Sequence, residues 1–320
     1  MDQDYEAAFR CFLVSAQQGV TDAQNNLGEC YYFGKGVNQD DNKAVQLFAM
    51  SAKQGNSAGQ NNLGDCYYYG HGVRQDYSKA FEWYSKSAAQ DDAAAQNNLG
   101  CCYYYGHGVE QDYAKAFEYF SKSAEQDDAW GQYNLGECYC NGFGVTQDYT
   151  KAFEWFSKSA DQGNAWGQNA LGNWYYHGIG VNQDYDKAFE WLSKSAAQGN
   201  SDAENSLGEC YYYGHGVEQD YIEAYEWFAR SAAQGNSKGQ HSLGNCYYNG
   251  EGVDQNFEIA FDCFSKSAAQ GNGAAYNSLG VCYYDGKGVA QDHQKAAEWF
   301  SKSSPHTSAS IRKNFRNHPT

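Results

Sequence analysis

Residues 56–91 read NSAGQNNLGDCYYYGHGVRQDYSKAFEWYSKSAAQD, and the dipeptide Leu63-Gly64 inside them decides the fold. It recurs as Leu27-Gly28, Leu99-Gly100, Leu135-Gly136, Leu171-Gly172, Leu207-Gly208, Leu243-Gly244 and Leu279-Gly280, always 36 residues apart. A fixed period of this length means that each unit is a small supersecondary element unable to bury its apolar side alone. Neighbouring units must therefore stack into a solenoid.

Within the stretch, Gly59, Leu63, Cys66 and Tyr67 stand at i, i+4, i+7 and i+8, which predicts a helix over 57–69, helix A. Gly70-His71-Gly72-Val73 stops it, since two glycines allow a tight connection. Asp76 sits where an N-cap belongs and opens helix B, whose inner stripe is Ala80, Tyr84, Ser87 and Ala88, with Phe81 and Trp83 on the flanks. Glu82/Lys86 recurs as Glu118/Lys122, Glu154/Lys158, Glu190/Lys194 and Glu298/Lys302; such i,i+4 pairs contribute about 0.2–0.5 kcal/mol each and mark the outward side of helix B. Helix B ends in most copies at Gln-Gly-Asn, where glycine suits a left-handed cap. Asp91-Asp92 and Asp127-Asp128 replace it at two junctions, which predicts local strain.

Counting backwards, residues 3–9 match residues 75–81, so the chain opens on a lone helix B over 1–19, followed by eight helix A/helix B units to residue 302. An unpaired half-unit is either a terminal cap or a sign that the chain is a piece of a longer protein, the reading we favour. The array is expected to form one continuous domain, and residues 303–320 a flexible basic tail carrying Arg312, Lys313 and Arg316 but no acid. The predicted class is all-α, a right-handed α/α superhelical solenoid of 36-residue helix-turn-helix repeats.

The 320 residues carry a net charge of −17 and 17% aromatic side chains, and both prolines lie in the tail. Such acidity repels phosphate backbones and anionic headgroups, which argues against nucleic acid and membrane surfaces as partners. No signal peptide or apolar run of spanning length is present, so direct membrane insertion is not expected and the chain reads as cytoplasmic. Seven of the eleven cysteines, Cys30, Cys66, Cys102, Cys138, Cys210, Cys246 and Cys282, share one slot three residues after the leucine. Equivalent helices lie about 8–10 Å apart, beyond the roughly 7 Å a disulfide spans. These thiols read as buried, unpaired packing groups, which favours a reducing compartment; Trp174 fills the same slot in the fifth copy.

The recurring pattern Ala/Gly-x3-Leu-Gly-x2-Tyr-x2-Gly-x-Gly-Val-x2-Asp-x2-Lys-Ala-x2-Trp-Phe/Tyr-x-Lys-x-Ala-x-Gln-Gly resembles the Sel-1-like repeat, a relative of the tetratricopeptide repeat. The fourth unit carries it as Gly131, Leu135, Gly136, Tyr139, Gly142, Gly144, Val145, Asp148, Lys151, Ala152, Trp155, Phe156, Lys158, Ala160, Gln162 and Gly163. The resemblance implies an α/α superhelix acting as an adaptor or scaffold. Some bacterial relatives bear a β-lactamase label and pair cysteines between helices; the cysteine slots differ here, so that disulfide scheme does not transfer and a β-lactamase-like hydrolase remains a remote alternative.

Taking the leucine as the centre of helix A's buried face, positions −5, −2, +2, +5 and +6 fall opposite it and are expected to line a concave groove. Position −2 reads Asn25, Asn61, Asn97, Tyr133, Asn169, Asn205, His241 and Asn277, with Asn26, Asn62, Asn98 and Asn134 beside it. The asparagines could bond the main chain of an extended peptide, or tie each unit to its neighbour. Trp130 and Trp166 at −5 are expected to sit side by side. With Tyr69, Tyr105 and Tyr133, and with Glu137, His177 and Tyr213 on the same face, they form the candidate protein-binding stripe; the alternative folds the indoles back on their neighbours. Acids at +2, Glu29, Asp65, Glu137 and Glu209, would favour a basic ligand segment.

The predicted partner is therefore a protein or peptide, with self-association through the N-terminal half-repeat or the tail as a further possibility, and a structural spacer or assembly platform as the competing role. No cofactor, metal or catalytic residue is assigned. The Ser-Lys-Ser triplets and the cysteines are periodic rather than unique, and His71, His107 and His215 occupy equivalent turns too far apart to share zinc.

Overall fold

The structure, a computed structural model, describes residues 2–303; the basic tail from 304 onward lies outside the described residues. Helix α1 (Asp2–Gln17) is followed by hairpins in which an even-numbered helix A leads into an odd-numbered helix B. These are α2 (Thr21–Phe33) and α3 (Asp41–Lys53), α4 (Ser57–Tyr69) and α5 (Tyr77–Ala88), α6 (Ala93–Tyr105) and α7 (Tyr113–Glu125), and α8 (Ala129–Asn141) and α9 (Tyr149–Asp161). The remaining four are α10 (Ala165–His177) and α11 (Tyr185–Ala196), α12 (Ser201–Tyr213) and α13 (Tyr221–Ala233), α14 (Ser237–Asn249) and α15 (Phe257–Ala269), and α16 (Gly273–Asp285) and α17 (His293–Ser303). No strand occurs among the described residues, and the fold is a helical-repeat solenoid. The chain divides into two compact units, residues 1–162 with α1–α9 and residues 163–320 with α10–α17.

Each hairpin follows from its local chemistry. The Asn56 side chain accepts from Gly59 N at 2.7 Å and starts α4; Gly70, at φ 78°, ends it. Asp76 accepts from Lys79 N at 3.1 Å and starts α5. The glycine of the Leu-Gly pair brings the two helices together, because a Cβ at Gly64 would lie 2.6 Å from the Tyr84 ring. The second glycine of the turn faces the preceding hairpin. At Gly72, φ is +67° and a Cβ would lie against the carbonyl oxygen of Asp41. As the cap chemistry predicts, Asp91 and Asp127 are held at φ 61° and 60°.

The inner stripe is buried as read: Ala80, Tyr84, Ser87 and Ala88 join Ala95, Leu99 and Cys102 in one cluster or beside it. All seven slot cysteines are buried, Trp174 is buried in the same slot, and the eleven thiols are unpaired. Burial pushes the Cys66 and Cys138 thiols up to about 12, so they behave as packing groups, not nucleophiles.

Two side-chain clamps repeat inside the hairpins. A buried helix B serine donates to the first turn of its helix A, as in Ser87 Oγ to Ser57 O at 2.8 Å and Ser231 Oγ to Ser201 O at 2.7 Å. A glutamine at the end of helix B donates to a buried glutamine of helix A, as in Gln90 to Gln60 and Gln198 to Gln168, both 2.8 Å. The expected helix B ion pairs form at Glu118/Lys122 and Glu190/Lys194, each 2.6 Å. Lys86 and Lys158 instead lie 4.0 Å above the rings of Trp83 and Trp155, a cation–π cover for half-buried indoles.

Candidate functional site

The candidate surface is the face of the helices A that points away from the helix B partners. In unit 1 its central row is a hydrogen-bonded ladder. Asn62 Nδ2 donates to Asn25 Oδ1 at 2.9 Å, Asn98 to Asn61 at 3.0 Å and Asn134 to Asn97 at 2.8 Å. Asn25, Asn61 and Asn97 are buried. In unit 2 the pattern continues with hydroxyls as donors: Ser242 Oγ donates to buried Asn205 Oδ1 at 2.9 Å, and His241 pairs with Ser278 at 3.0 Å. Asn169 receives Asn173 Nδ2 at 2.9 Å, and Ser206 donates to Asn173 Oδ1 at 3.1 Å. Of the two readings of the asparagines, these bonds favour the one in which they tie unit to unit, because the carbonyl oxygens are already engaged. Asn277 is exposed, and Tyr133, Asn169 and His241 are half-buried. Burial lowers the His241 pKa and keeps that ring neutral.

The flanking rows are open. At +6, Phe33, Tyr69, Tyr105 and Tyr213 are exposed, as are Asn141 and His177. At −5, Trp130 is 39% exposed and meets Tyr133 edge-on, with ring centroids 6.2 Å apart. Trp166 is half-buried. The two indoles fall in different units, so each is placed within its own.

The acids at +2 lie between the ladder and the open row. Asp65 accepts from Tyr84 Oη at 2.7 Å and Asn98 Nδ2 at 3.2 Å. Burial nevertheless pushes its carboxyl up to about 7, against the lowering effect of the Tyr84 bond. Glu137 is likewise raised to about 7 by burial, opposed by its bond from Asn141, and Glu209 is raised for the same reason. These carboxylates carry charge at a desolvation cost, and among the described residues no lysine or arginine side chain makes an ion pair with Asp65 or Glu137. Glu29 and Asp65 border a cavity of about 250 Å³ in unit 1, walled by Tyr32, Phe33 and Phe48.

The sequence reading missed what the turn histidines do. Tyr68 Oη and His107 Nδ1 are 2.8 Å apart, and the His107 ring stacks on Tyr77 at 4.2 Å and 10°. Tyr176 and His215 repeat this at 2.9 Å, with Tyr185 stacked at 4.1 Å. Tyr32 pairs with His71 and Tyr212 with Glu251 in the same way, and Lys287 donates to Tyr248 at 3.0 Å. The tyrosine at +5 thus reaches the next unit's turn, 39 residues on. The signal was present as a Tyr at +5 in seven copies, six of them followed one unit on by a polar or aromatic residue at +8. Testing the histidines only as metal ligands hid it.

Against known proteins, the family model described as Sel1 repeat matches residues 1–20, 21–56, 57–92, 93–128, 131–164, 167–200, 201–236, 237–272 and 273–304. A protective antigen of uropathogenic Escherichia coli strains, solved with an SLR fold, is 33% identical. It covers 92% of this chain, 79% of its own length is matched, and the TM-score is 0.56. A Sel1 repeat protein from Oxalobacter formigenes is 28% identical, covers 77% of this chain and 96% of its own, and has a TM-score of 0.68. A signal transduction ATPase with a tetratricopeptide repeat sensor from Pyrococcus horikoshii, 14% identical, covers 97% of this chain and 51% of its own at a TM-score of 0.56; it shares the fold alone. No curated protein matches the chain.

Proposed function

The chain belongs to the Sel1 repeat family, and from that premise we propose that it is a non-catalytic adaptor that grips a peptide or protein segment along the open face of its helices A. Sel1 repeat proteins are generally protein-interaction scaffolds and typically non-catalytic. The observation that carries the finer reading is that each unit bears exposed aromatic rings, Tyr69 and Tyr105 in unit 1 and Tyr213 in unit 2, beside half-buried carboxylates. Exposed aromatics are the residue types that dominate interface energetics. The acids select the sign: a lysine or arginine from the partner would ionise Asp65 and Glu137 fully and recover part of their desolvation cost.

Phosphate backbones and anionic headgroups do not suit this surface at a net charge of −17, and no helix among the described residues is long and apolar enough to cross a membrane. In this reading the ladder asparagines tie each repeat to the next, while Trp130, Tyr69, Tyr105 and Glu137 offer ligand contacts on unit 1, and Trp166, His177 and Tyr213 on unit 2. Affinity capture with the wild-type chain and with Tyr69→Ala/Tyr105→Ala and Trp130→Ala/Trp166→Ala variants tests it. Loss of the captured proteins supports the reading, and unchanged retention by both variants removes it. A second reading, self-association through α1, rests on the exposed Tyr5 and Val14 of that helix; sedimentation of a Tyr5→Lys/Val14→Lys variant against wild type decides it.

A further inference from the structure

Every helix A is opened by an Asn or Asp whose side-chain oxygen accepts from the first turn, except α2, which Val20 precedes. When the cap is Asn, its Nδ2 needs an acceptor of its own. Asn56 Nδ2 donates to Asp22 Oδ1 at 2.7 Å. In unit 2, Asn236 Nδ2 donates to Asp202 Oδ1 at 3.0 Å and Ser201 Oγ at 3.3 Å. In both cases the aspartate stands 34 residues before the cap. Where that position is alanine, Ala58 or Ala94, the cap is Asp92 or Asp128, which has no amide to satisfy.

Asn164, with Trp130 at that position, and Asn272, with Lys238 there and its Nδ2 donating to Ser237 O at 3.2 Å, also lack the aspartate, and the third such cap is Asn200. Its Oδ1 caps α12 by accepting from Ala203 N at 2.9 Å. The residue is 7% exposed, and its Nδ2 is buried with no hydrogen-bond partner. Thirty-four residues before it stands Trp166, whose indole carries no hydrogen-bond acceptor. A cavity of about 210 Å³ opens at this place, lined by Trp166, Gln198, Gly199, Asn200, Ser201 and Gln234. The Gln198 amide is occupied by Gly163 O and Gln168, and the Gln234 amide by Glu204. Asn200 Nδ2 is the buried side-chain atom of the lining that lacks a hydrogen-bond partner among the described residues.

We propose that this cavity is a subsite for one residue of an extended peptide. The residue's apolar side chain lies on the Trp166 indole and its main-chain carbonyl accepts from Asn200 Nδ2. This deepens the adaptor reading and rests on it. The volume decides for a single residue, since sites for drug-sized ligands span about 300–1,000 Å³. Charge decides for a neutral carbonyl over a carboxylate: Asp202 and Glu204 lie in the first turn of the same helix α12, on a chain of net charge −17.

The test uses the full-length ¹⁵N-labelled chain and blocked pentapeptides, acetyl-Gly-Gly-Xaa-Gly-Gly-amide, with Xaa Leu, Phe or Glu, followed by NMR. Leu and Phe peptides are expected to shift the Asn200 side-chain amide and the Trp166 indole N–H saturably, and the Glu peptide to bind about tenfold more weakly. Asn200→Asp keeps the cap, as Asp92 and Asp128 do, but replaces the donor. It should weaken binding about tenfold, the worth of one hydrogen bond. Trp166→Asp rebuilds the Asp22–Asn56 pairing, so it should abolish binding while raising the melting temperature. Binding of the Leu peptide by Asn200→Asp as tightly as by wild type overturns the subsite. So does saturable binding that leaves the Asn200 amide unmoved; shifts confined to Tyr69, Tyr105 or Tyr213 would keep the adaptor reading while removing this one. Failure of the capture experiment alone would do the reverse.

Discussion

Single residues in this chain are legible through their copies, because eight versions of each position show which side chains a site tolerates. Asp65 is the clearest case, for the same +2 position holds Asn173 and Asn245 in other copies. Its carboxyl is raised to about 7 by burial, above an unfolded value of about 3.9. The folded state therefore holds a proton more tightly than the unfolded chain. The resulting stability is fully present below about pH 4 and is lost as pH rises through about 7. Asp65→Asn should flatten that decline and be more stable than wild type at pH 8 by on the order of 1 kcal/mol, the Tyr84 bond surviving as a neutral one. Thermal melts of both proteins from pH 4 to 8 check this, and parallel curves would show that Asp65 ionises without cost. The orphaned Asn200 amide was legible in principle too, from Trp166 standing where Asp22 and Asp202 stand. Nothing in one sequence, however, marks which side chain lies 34 residues away in contact.

At the scale of elements, helix boundaries were readable because caps and stops are local chemistry. Helix α4 runs Ser57–Tyr69 as the spacing predicts, and α5 opens after Asp76. The strain at the two Asp-Asp junctions was readable for the same reason. Asp91→Gly should stabilise unit 1 by about 1 kcal/mol, since glycine carries no Cβ penalty at φ 61°; a denaturant midpoint that falls instead would mean that the weak 3.5 Å bond from Gln96 to Asp91 outweighs the strain. What local chemistry hid were bonds between elements: the Gln90–Gln60 clamp, the asparagine ladder and the Tyr68–His107 staple join residues 30 to 39 apart. Burial lowers the His107 pKa below its ordinary value, so the neutral ring's contribution is present above about pH 6.5 and is lost as pH falls through the lowered value. Phe143 fills the equivalent turn and stacks on Tyr113 at 4.9 Å. His107→Phe should therefore keep the stack and remove the stability loss that sets in as pH falls below about 6.5. If the variant's melting temperature still falls as steeply as wild type over that range, the titrating group lies elsewhere.

For the whole molecule, the regular offsets carry the argument. Within each unit, serine clamps at 30 residues, the ladder at 37 and the turn staples at 39 join a hairpin to itself or to the next, so stability sums over neighbours. The period predicted this arrangement, while the partner was not legible, because the ligand enters the sequence only through residues that differ between copies. Nearest-neighbour wiring predicts that an exact period is dispensable and half a period is not. Deleting residues 57–92 removes α4 and α5 and joins Asn56 to Ala93, so α3 meets α6 through the same donors and acceptors it offered α4. That variant should keep its helical content per residue and unfold cooperatively, at a melting temperature lowered by the loss of one unit. Deleting residues 57–74 instead removes one helix A and its turn, setting α3 against α5. The Leu63-Gly64 seat for Tyr84 and the Ser57 carbonyl for Ser87 vanish with it. This variant should melt broadly, with helix lost around the junction. Circular dichroism with thermal melts distinguishes them, and equal damage from both deletions would mean that contacts beyond adjacent hairpins hold unit 1 together.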